Sequence, residues 1–270
     1  MTVAATPPPG SFAARLADAG SAAGSVLCVG LDPDPAQLPD GVGVDDFCRA
    51  IVGATADVAA AFKPNLAFFE ALGADGYAAL AATARAVRDT GRLLVLDGKR
   101  GDIGSTGDRY ATALYDALGG DAATVAPYMG PDSIAPFLRH AGRCAFVLVA
   151  TSNSGGTAVQ DLPAPGGTVA DAVAAMAVET AAGLPGEVGF VVGATRPARL
   201  AAIRAAHPTV PLLVPGVGAQ GGSADEVMQA NARGPILVNA SRSILYASRG
   251  ADFAAAATDA ARDLAATLRT

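Results

Sequence analysis

Asp97, Lys99 and Asp102 stand in the stretch LVLDGKRGDIGST at spacing D-x-K-x-x-D, directly after an apolar run. A lysine flanked by carboxylates stays protonated, because each neighbouring negative charge favours its charged form. Such a lysine is a proton donor and a fixed cation rather than a base, which suits a reaction that generates a carbanion and then protonates it. Lys63, in KPN at the end of the preceding apolar run, extends the array to alternating Lys, Asp, Lys and Asp if it enters the same pocket. The plainer alternative is turn chemistry, with Asp102 capping the next helix and Lys99 and Arg100 as solvated charges.

A second constellation has the makings of an anion site. PGVGAQGG (215–222) and NASRSI (239–244) each follow an apolar run. Glycine leaves backbone N–H groups accessible, Gln220 offers an amide, and Arg242 offers a bidentate guanidinium for phosphate. Arg242 also falls in the first turn of an expected helix, where a cation opposes the macrodipole unless an anion lies between them. Two ordinary glycine-rich turns are the alternative. Asp32 in LDPDP and Ser152 with Asn153 in ATSNSGG are further candidate substrate contacts, though each motif alone reads equally as an Asp-Pro turn or as plain loop polarity.

The elements that must carry these residues recur along the chain. Short apolar, β-branched runs end at Asp32, Asn65, Lys99, Tyr128, Thr151, Ala194, Val217 and Ser241, which makes eight candidate strands. Between most of them lie Ala-rich stretches of helical pattern: 45–60, 76–90, 107–118, 169–184, 197–206 and 224–232. Strand alternating with helix predicts parallel pairing, and near-continuous apolar strands predict a sheet covered on both faces. Eight such units in 270 residues fit a single α/β domain, a (β/α)8 TIM barrel spanning 1–270, better than the alternative of an open doubly wound sheet. In a barrel the candidate residues fall at or just past strand C-terminal ends, which form the active-site face. On a regular strand, Asp97 and Lys99 at i and i+2 point the same way, whereas Asp102 lies beyond the strand end and need not share its own subunit's pocket. Residues 1–10 read as a disordered lead. The segment 152–168, SNSGGTAVQDLPAPGGT, reads as a long loop, for which a lid is favoured over a disordered excursion.

Composition narrows the classes. A net charge of −6 without any basic stripe argues against nucleic acid or an anionic membrane surface as a partner. The positive mean hydropathy comes largely from helical alanine, and no apolar run approaches the roughly 20 residues of a membrane span. The N-terminal residues lack the basic and apolar regions of a secretory signal. Cys28, Cys48 and Cys144 are odd in number, far apart and set among apolar residues, as expected of reduced thiols in the cytoplasm. With only two histidines, His140 and His207, a His-centred triad or His-rich metal site is not expected.

Taken together, KPNLAFFE, LDGKRGDIGST, ATSNSGG, PGVGAQGG and NASRSI, in that order, resemble the orotidine 5'-phosphate decarboxylases, in their longer, mycobacterial-like bacterial branch. The resemblance runs from about Val26 to Ile244. It implies metal- and cofactor-free decarboxylation of orotidine 5'-monophosphate to UMP and CO2 in de novo pyrimidine biosynthesis, by a homodimer in the cytoplasm. By position, Lys99 matches the lysine that protonates C6, Asp97 the carboxylate beside the substrate carboxylate, and Lys63 the other lysine of the charged network. Asp102 and Thr106 match residues contributed to the neighbouring subunit's site. Asp32 matches a ribose contact, Ser152 a pyrimidine contact, and Gln220 and Arg242 the phosphate ligands. One departure is visible: many relatives read D-I-P-N-T where this chain reads DIGST, so Thr106 keeps its register while the loop loses a proline.

Two rivals carry different expectations. A decarboxylase or aldolase of the same barrel superfamily, acting on a sugar phosphate with magnesium, places a metal-binding carboxylate where Lys63 stands, and a lysine there repels the cation. A catalytically silent phosphate-binding barrel would keep Gln220 and Arg242 but has no need of Lys63, Asp97, Lys99 and Asp102 together.

Overall fold

A computed structural model describes residues 7–218 and 221–269. Eight parallel strands occupy the eight predicted runs: β1 (Leu27–Leu31), β2 (Ala61–Pro64), β3 (Leu93–Arg100), β4 (Ala122–Val125), β5 (Cys144–Ala150), β6 (Glu187–Val192), β7 (Leu212–Pro215) and β8 (Ile236–Ala240). Each pairs with its sequence neighbours, and β8 returns to β1 with Leu27 opposite Val238, so the barrel is closed. That pairing excludes the open sheet, which leaves two edge strands unpaired.

Twelve helices follow in chain order: α1 (Phe12–Ala23), α2 (Val44–Thr55), α3 (Leu66–Glu70), α4 (Gly73–Asp89), α5 (Gly104–Ala111), α6 (Ala135–Leu138), α7 (Thr157–Gln160), α8 (Val169–Ala181), α9 (Pro197–Ala206), α10 (Ala224–Asn231), α11 (Arg242–Leu245) and α12 (Phe253–Thr267), as counted among the described residues. Their packing follows from periodicity. Phe47, Cys48, Ile51, Val52 and Thr55 are the buried residues of α2 and form one stripe. Within it, the Phe47 ring stacks on Phe253 of α12 at 5.2 Å between centroids. The six predicted helical stretches correspond to α2, α4, α5, α8, α9 and α10, with 107–118 continuing past the end of α5 as a π-helix, Thr112–Ala117. The expected 45–60 stretch stops at Thr55, because Ala59 and Ala60 are buried and the Ala60 N–H already donates to the Leu27 carbonyl as pairing with β1 begins.

Alternation along the strands divides the apolar residues into two cores. Leu94, Leu96, Phe62 and Val147 face the helix ring. Leu93, Val95, Ala61, Cys144 and Phe146 fill the barrel interior, together with Phe12 and Leu16 of α1. That helix, which the sequence reading left unassigned, is the barrel's floor. Phe12 meets Phe146 edge-on at 5.7 Å, and the Glu187 carboxylate at the start of β6 accepts the N–H groups of Phe12 and Ala13. Of the lead expected to be disordered, residues 1–6 lie outside the described residues, while Pro8 to Ser11 form a turn closed by the Ser11 N–H on the Pro8 carbonyl.

The segment after β5 also departs from expectation. Residues 152–168 hold a 3-10 turn (Ser154–Gly156), α7, and a small hairpin pairing Pro163–Ala164 with Gly167–Thr168. Thr168 and Asp171 then close a capping box on α8. Arg196 Nη2 spans both carboxylate oxygens of Asp161 at 2.7 and 2.5 Å, tying the segment to the loop after β6. The segment is ordered, with Thr168 and Asp171 serving a cap and Asp161 a clamp.

Candidate active site

The strand C-terminal ends surround a cavity of about 260 Å3. At its base, three neighbouring strands bring charge together. Asn65 stands opposite Asp97 in parallel register, so Lys63, two residues earlier on β2, is a diagonal neighbour of Asp97 on the same face. Lys63 Nζ donates to Asp97 Oδ2 at 2.7 Å, and Lys99 Nζ donates to Asp97 Oδ1 at 2.6 Å. The β3–β4 register places Thr124 level with Asp97, and its hydroxyl donates to Asp97 Oδ1 at 2.8 Å. Asp97 therefore lies between two ammonium groups and a hydroxyl.

Burial divides the two lysines. Lys63 is 4% exposed, whereas the Lys99 side chain is half exposed. Burial alone would lower the Lys63 ammonium, but attraction by Asp97 and Asp32 outweighs it and raises the group above the ordinary lysine range. Burial alone would likewise raise Asp97; Lys63 and then Lys99 overcome it and hold the carboxyl well below its usual range. Beneath them burial pushes the Cys28 thiol up to about 12, so it stays neutral. The site thus holds one buried ion pair and a second cation whose other face is open to the cavity.

Lys99 reaches this place by a different route from the regular strand expected. From Leu96 to Arg100 β3 advances four residues while β4 advances two, from Ala123 to Val125. Lys99 takes up the excess at φ 44°, and its N–H donates to the Thr124 hydroxyl at 2.9 Å. A bulge re-aims a side chain in this way, and the left-handed backbone costs roughly 1 kcal/mol or more.

The opposite wall comes from β1 and β8. Asp32 follows β1, and its Oδ2 accepts the Ser241 hydroxyl at 2.6 Å; the Tyr246 hydroxyl donates to the Asp32 carbonyl at 2.8 Å. Asp32 Oδ1 and Asn239 Oδ1 are buried without a hydrogen-bond partner among the described residues, and both residues line the cavity. Two such acceptors call for donors from a ligand. Ser152 and Asn153 line the side between β5 and β6. They are set by Gln160 of α7, whose amide accepts the Thr151 N–H at 2.9 Å and donates to the Thr151 hydroxyl at 2.8 Å. That hydroxyl in turn donates to Asn153 Oδ1 at 2.6 Å.

Arg242 lines the rim where β7 and β8 end, and no carboxylate among the described residues pairs with it. Two details of the anion reading change. Helix α11 is four residues long, too short for the dipole argument applied to Arg242. The N–H groups of Gly218, Gly221 and Gly222 are also spent inside their own loop, on the carbonyls of Gly222, Gly218 and Gly216. Gln220 lies outside the described residues. Asp102 and Thr106 do not line this chain's cavity: Asp102 Oδ1 accepts the Ile103 N–H at 2.8 Å, and Thr106 is exposed on α5. Gly104, between them, has φ 55°, which proline, fixed near −65°, does not adopt. The missing proline of DIGST is thus matched by a turn that needs glycine.

Sequence reasoning missed Thr124, Asn239, Ser241 and Gln160. For Thr124 the available signal was a hydroxyl inside an otherwise apolar run. For Asn239 and Ser241 it was their place in the NASRSI motif that supplied Arg242.

Comparison with known proteins bears on the family. A protein of Roseiflexus castenholzii named orotidine 5'-phosphate decarboxylase is 51% identical over 249 residues, covering 89% of this chain and 90% of that protein. Another of that name from Variovorax paradoxus is 45% identical over 262 residues, covering 93% and 96%. The solved structure of Leishmania donovani OMP decarboxylase superposes with a TM-score of 0.81 at 40% identity, over 95% of this chain and 98% of that one. Residues 25–257 match the Orotidine 5'-phosphate decarboxylase / HUMPS family, and the chain belongs to it.

Proposed function

We propose that this chain converts orotidine 5'-monophosphate to UMP and CO2, the step that completes UMP in pyrimidine biosynthesis, with Lys99 as the proton donor. The observation that carries the reading is the Lys63–Asp97–Lys99 chain, closed by Thr124, at the base of the cavity. Breaking the C6–carboxylate bond leaves an electron pair in an orbital in the ring plane, which the ring delocalises poorly. The pair needs a cation already in position, because preorganised charge costs no reorganisation as the reaction proceeds. Lys99, held by Asp97 and open to the cavity, is that cation and delivers its proton to C6 as CO2 departs. Asp97 fixes the ammonium and stands beside the substrate carboxylate, and buried Lys63 keeps Asp97 ionised.

The remaining contacts follow from chemistry. The unpartnered acceptors of Asp32 and Asn239 suit ribose hydroxyl donors. Ser152 and Asn153 face the pyrimidine, and Arg242, with Gln220, takes the phosphate. Binding energy from that distant phosphate is available to hold the ring against Lys99. The donor set also supports a metal-free reaction: an ammonium 2.7 Å from Asp97 occupies the place where a divalent ion would need its carboxylate.

The reading includes a homodimer in which Asp102 and Thr106 complete the partner's site. In support, both lie just past the end of β3, outside their own cavity, and Ile103 and Met129, each about half exposed, and Tyr128, 93% exposed, are apolar side chains on the same side of the barrel. Three buried free thiols suit the cytoplasm. Among the described residues, no helix is long and apolar enough to cross a membrane.

The test is the ultraviolet absorbance of orotidine 5'-monophosphate mixed with the purified protein, with and without EDTA. Rapid conversion insensitive to EDTA is expected. A folded protein that leaves the substrate intact overturns the assignment and directs attention to sugar phosphates with magnesium.

A further inference from the structure

At the opposite end of the barrel, where β3, β4 and β5 begin, lies an open groove of about 530 Å3. Four guanidinium side chains line it: Arg15 of α1, Arg88 of the last turn of α4, Arg92 just before β3, and Arg143 just before β5. Among the described residues, only two carboxylates, Asp18 and Asp121, line it with them. The groove therefore carries a net charge of +2 (four arginines less two aspartates) in a chain whose net charge is −6. Arg15 and Arg143 share one carboxylate oxygen, Asp121 Oδ1, at 2.5 and 3.1 Å, and Arg15 also donates to the Gly142 carbonyl. Arg88 and Arg92 pair with no carboxylate among the described residues.

Ordinary surface chemistry accounts for part of this. A cation in the last turn of α4 complements the helix dipole, which covers Arg88 alone. Arg88 is also fitted closely to the groove wall. Gly119 turns there at φ 74°, and a Cβ on it would fall 2.3 Å from Arg88 Nη1 and 2.9 Å from its Cδ. Only glycine lets that guanidinium lie against the chain just before β4. Asp121 offsets the repulsion between Arg15 and Arg143, whereas Arg88 and Arg92 have no such counter-ion among the described residues.

We propose that this groove binds a diphosphate group. Arginine's planar fork matches phosphate oxygens in bidentate pairs, and two underpaired guanidiniums with two half-shared ones suit a ligand of several charges rather than one. Among the described residues no aromatic side chain lines the groove to stack a base, so recognition rests on the phosphates. The group could arrive as free pyrophosphate or as the tail of a nucleoside di- or triphosphate. The site is separate from Arg242, which lies on the active-site face at the other end of the strands.

Titration calorimetry on the full chain tests this, with Arg242→Ala as background so that the active-site face does not compete for phosphate. Pyrophosphate is expected to bind with one site per chain, and Arg88→Gln and Arg92→Gln are each expected to weaken it about tenfold or more, the usual worth of a charge-assisted contact. Made in the otherwise native chain, both substitutions should leave turnover of the active site unchanged when no anion is added. ADP and ATP in parallel titrations identify the source: binding as tight as pyrophosphate points to a nucleotide tail, and weaker binding to the free anion. Absence of pyrophosphate binding, or binding that neither substitution weakens while circular dichroism shows both variants folded, overturns the proposal.

Discussion

Replacing Asp97 by Asn and Lys63 by Met, singly and together, makes a cycle whose outcome follows from how deeply the pair is buried. Lys63 is 4% and Asp97 8% exposed, with 2.7 Å between them. Asp97→Asn keeps the shape of the side chain but strands a buried ammonium, which costs about 3–5 kcal/mol. Lys63→Met removes that ammonium and leaves an apolar stem in its place. Asp97 then retains Lys99 at 2.6 Å and Thr124 at 2.8 Å, so the loss should be smaller, about 2 kcal/mol. The double variant strands no charge, because Lys99 is half exposed and stays solvated. Its destabilisation should fall short of the sum of the singles by about 2–3 kcal/mol. Urea unfolding at pH 7, followed by circular dichroism and compared at constant slope, measures all four proteins. Single effects that add to within about 0.5 kcal/mol would show the two groups to be uncoupled and refute the account of how Asp97 is held ionised. Turnover should be lost in every variant, since each disturbs the field around Lys99.

The remaining predictions are more direct. Lys99→Ala should reduce kcat by about 10²–10³-fold or more with little change in UMP affinity; comparable losses in both would remove Lys99 from the proton-donor role. Arg242→Ala should raise KM by about 10- to 100-fold, and the affinity for inorganic phosphate should fall with it. The pH dependence follows from the directions of the two shifts. Asp97 is lowered when folded, so its contribution is present above the unfolded value of about 3.9 and is lost only as pH falls through the depressed folded value. Lys63 is raised, so its contribution is present below about 10.4 and is lost as pH rises through a higher folded value. An acid titration of Lys63→Met should therefore unfold at a higher pH than the native chain, and an unchanged acid midpoint would contradict the assignment. Buried Arg204, lowered to about 10 by burial, donates to Asn231 and to the carbonyls of His207, Pro208, Val210 and Pro235. Arg204→Leu strands those acceptors, costs about 3 kcal/mol and should lower Tm by roughly 6–12 °C, with activity at 25 °C retained.

The strands, their order and the helices between them were legible from residues 26–241 because two periodicities, alternating along a strand and near 3.6 along a helix, are local properties of the chain. That Lys63, Asp97 and Lys99 belong together was legible for the same reason, since each ends an apolar run and a barrel gathers strand ends on one face. What tertiary structure decided are facts that depend on neighbours distant in sequence. The bulge that aims Lys99 exists only in the register of β3 against β4, and it enlists Thr124, whose one local mark, a hydroxyl in an apolar run, does not say which strand it will serve. Helix α1 gains its place from Phe146 and Glu187, more than 130 residues away, so its own sequence carried no sign that it would close the barrel floor. The segment 152–168 read as a loop because its order comes from Thr151 behind it and Arg196 ahead of it. Glycine at 104 and the mutually bonded glycines 216, 218, 221 and 222 show the same limit at smaller scale. Residue type announced a turn, but only the path of the folded backbone determined its sign of φ and where its N–H groups were spent.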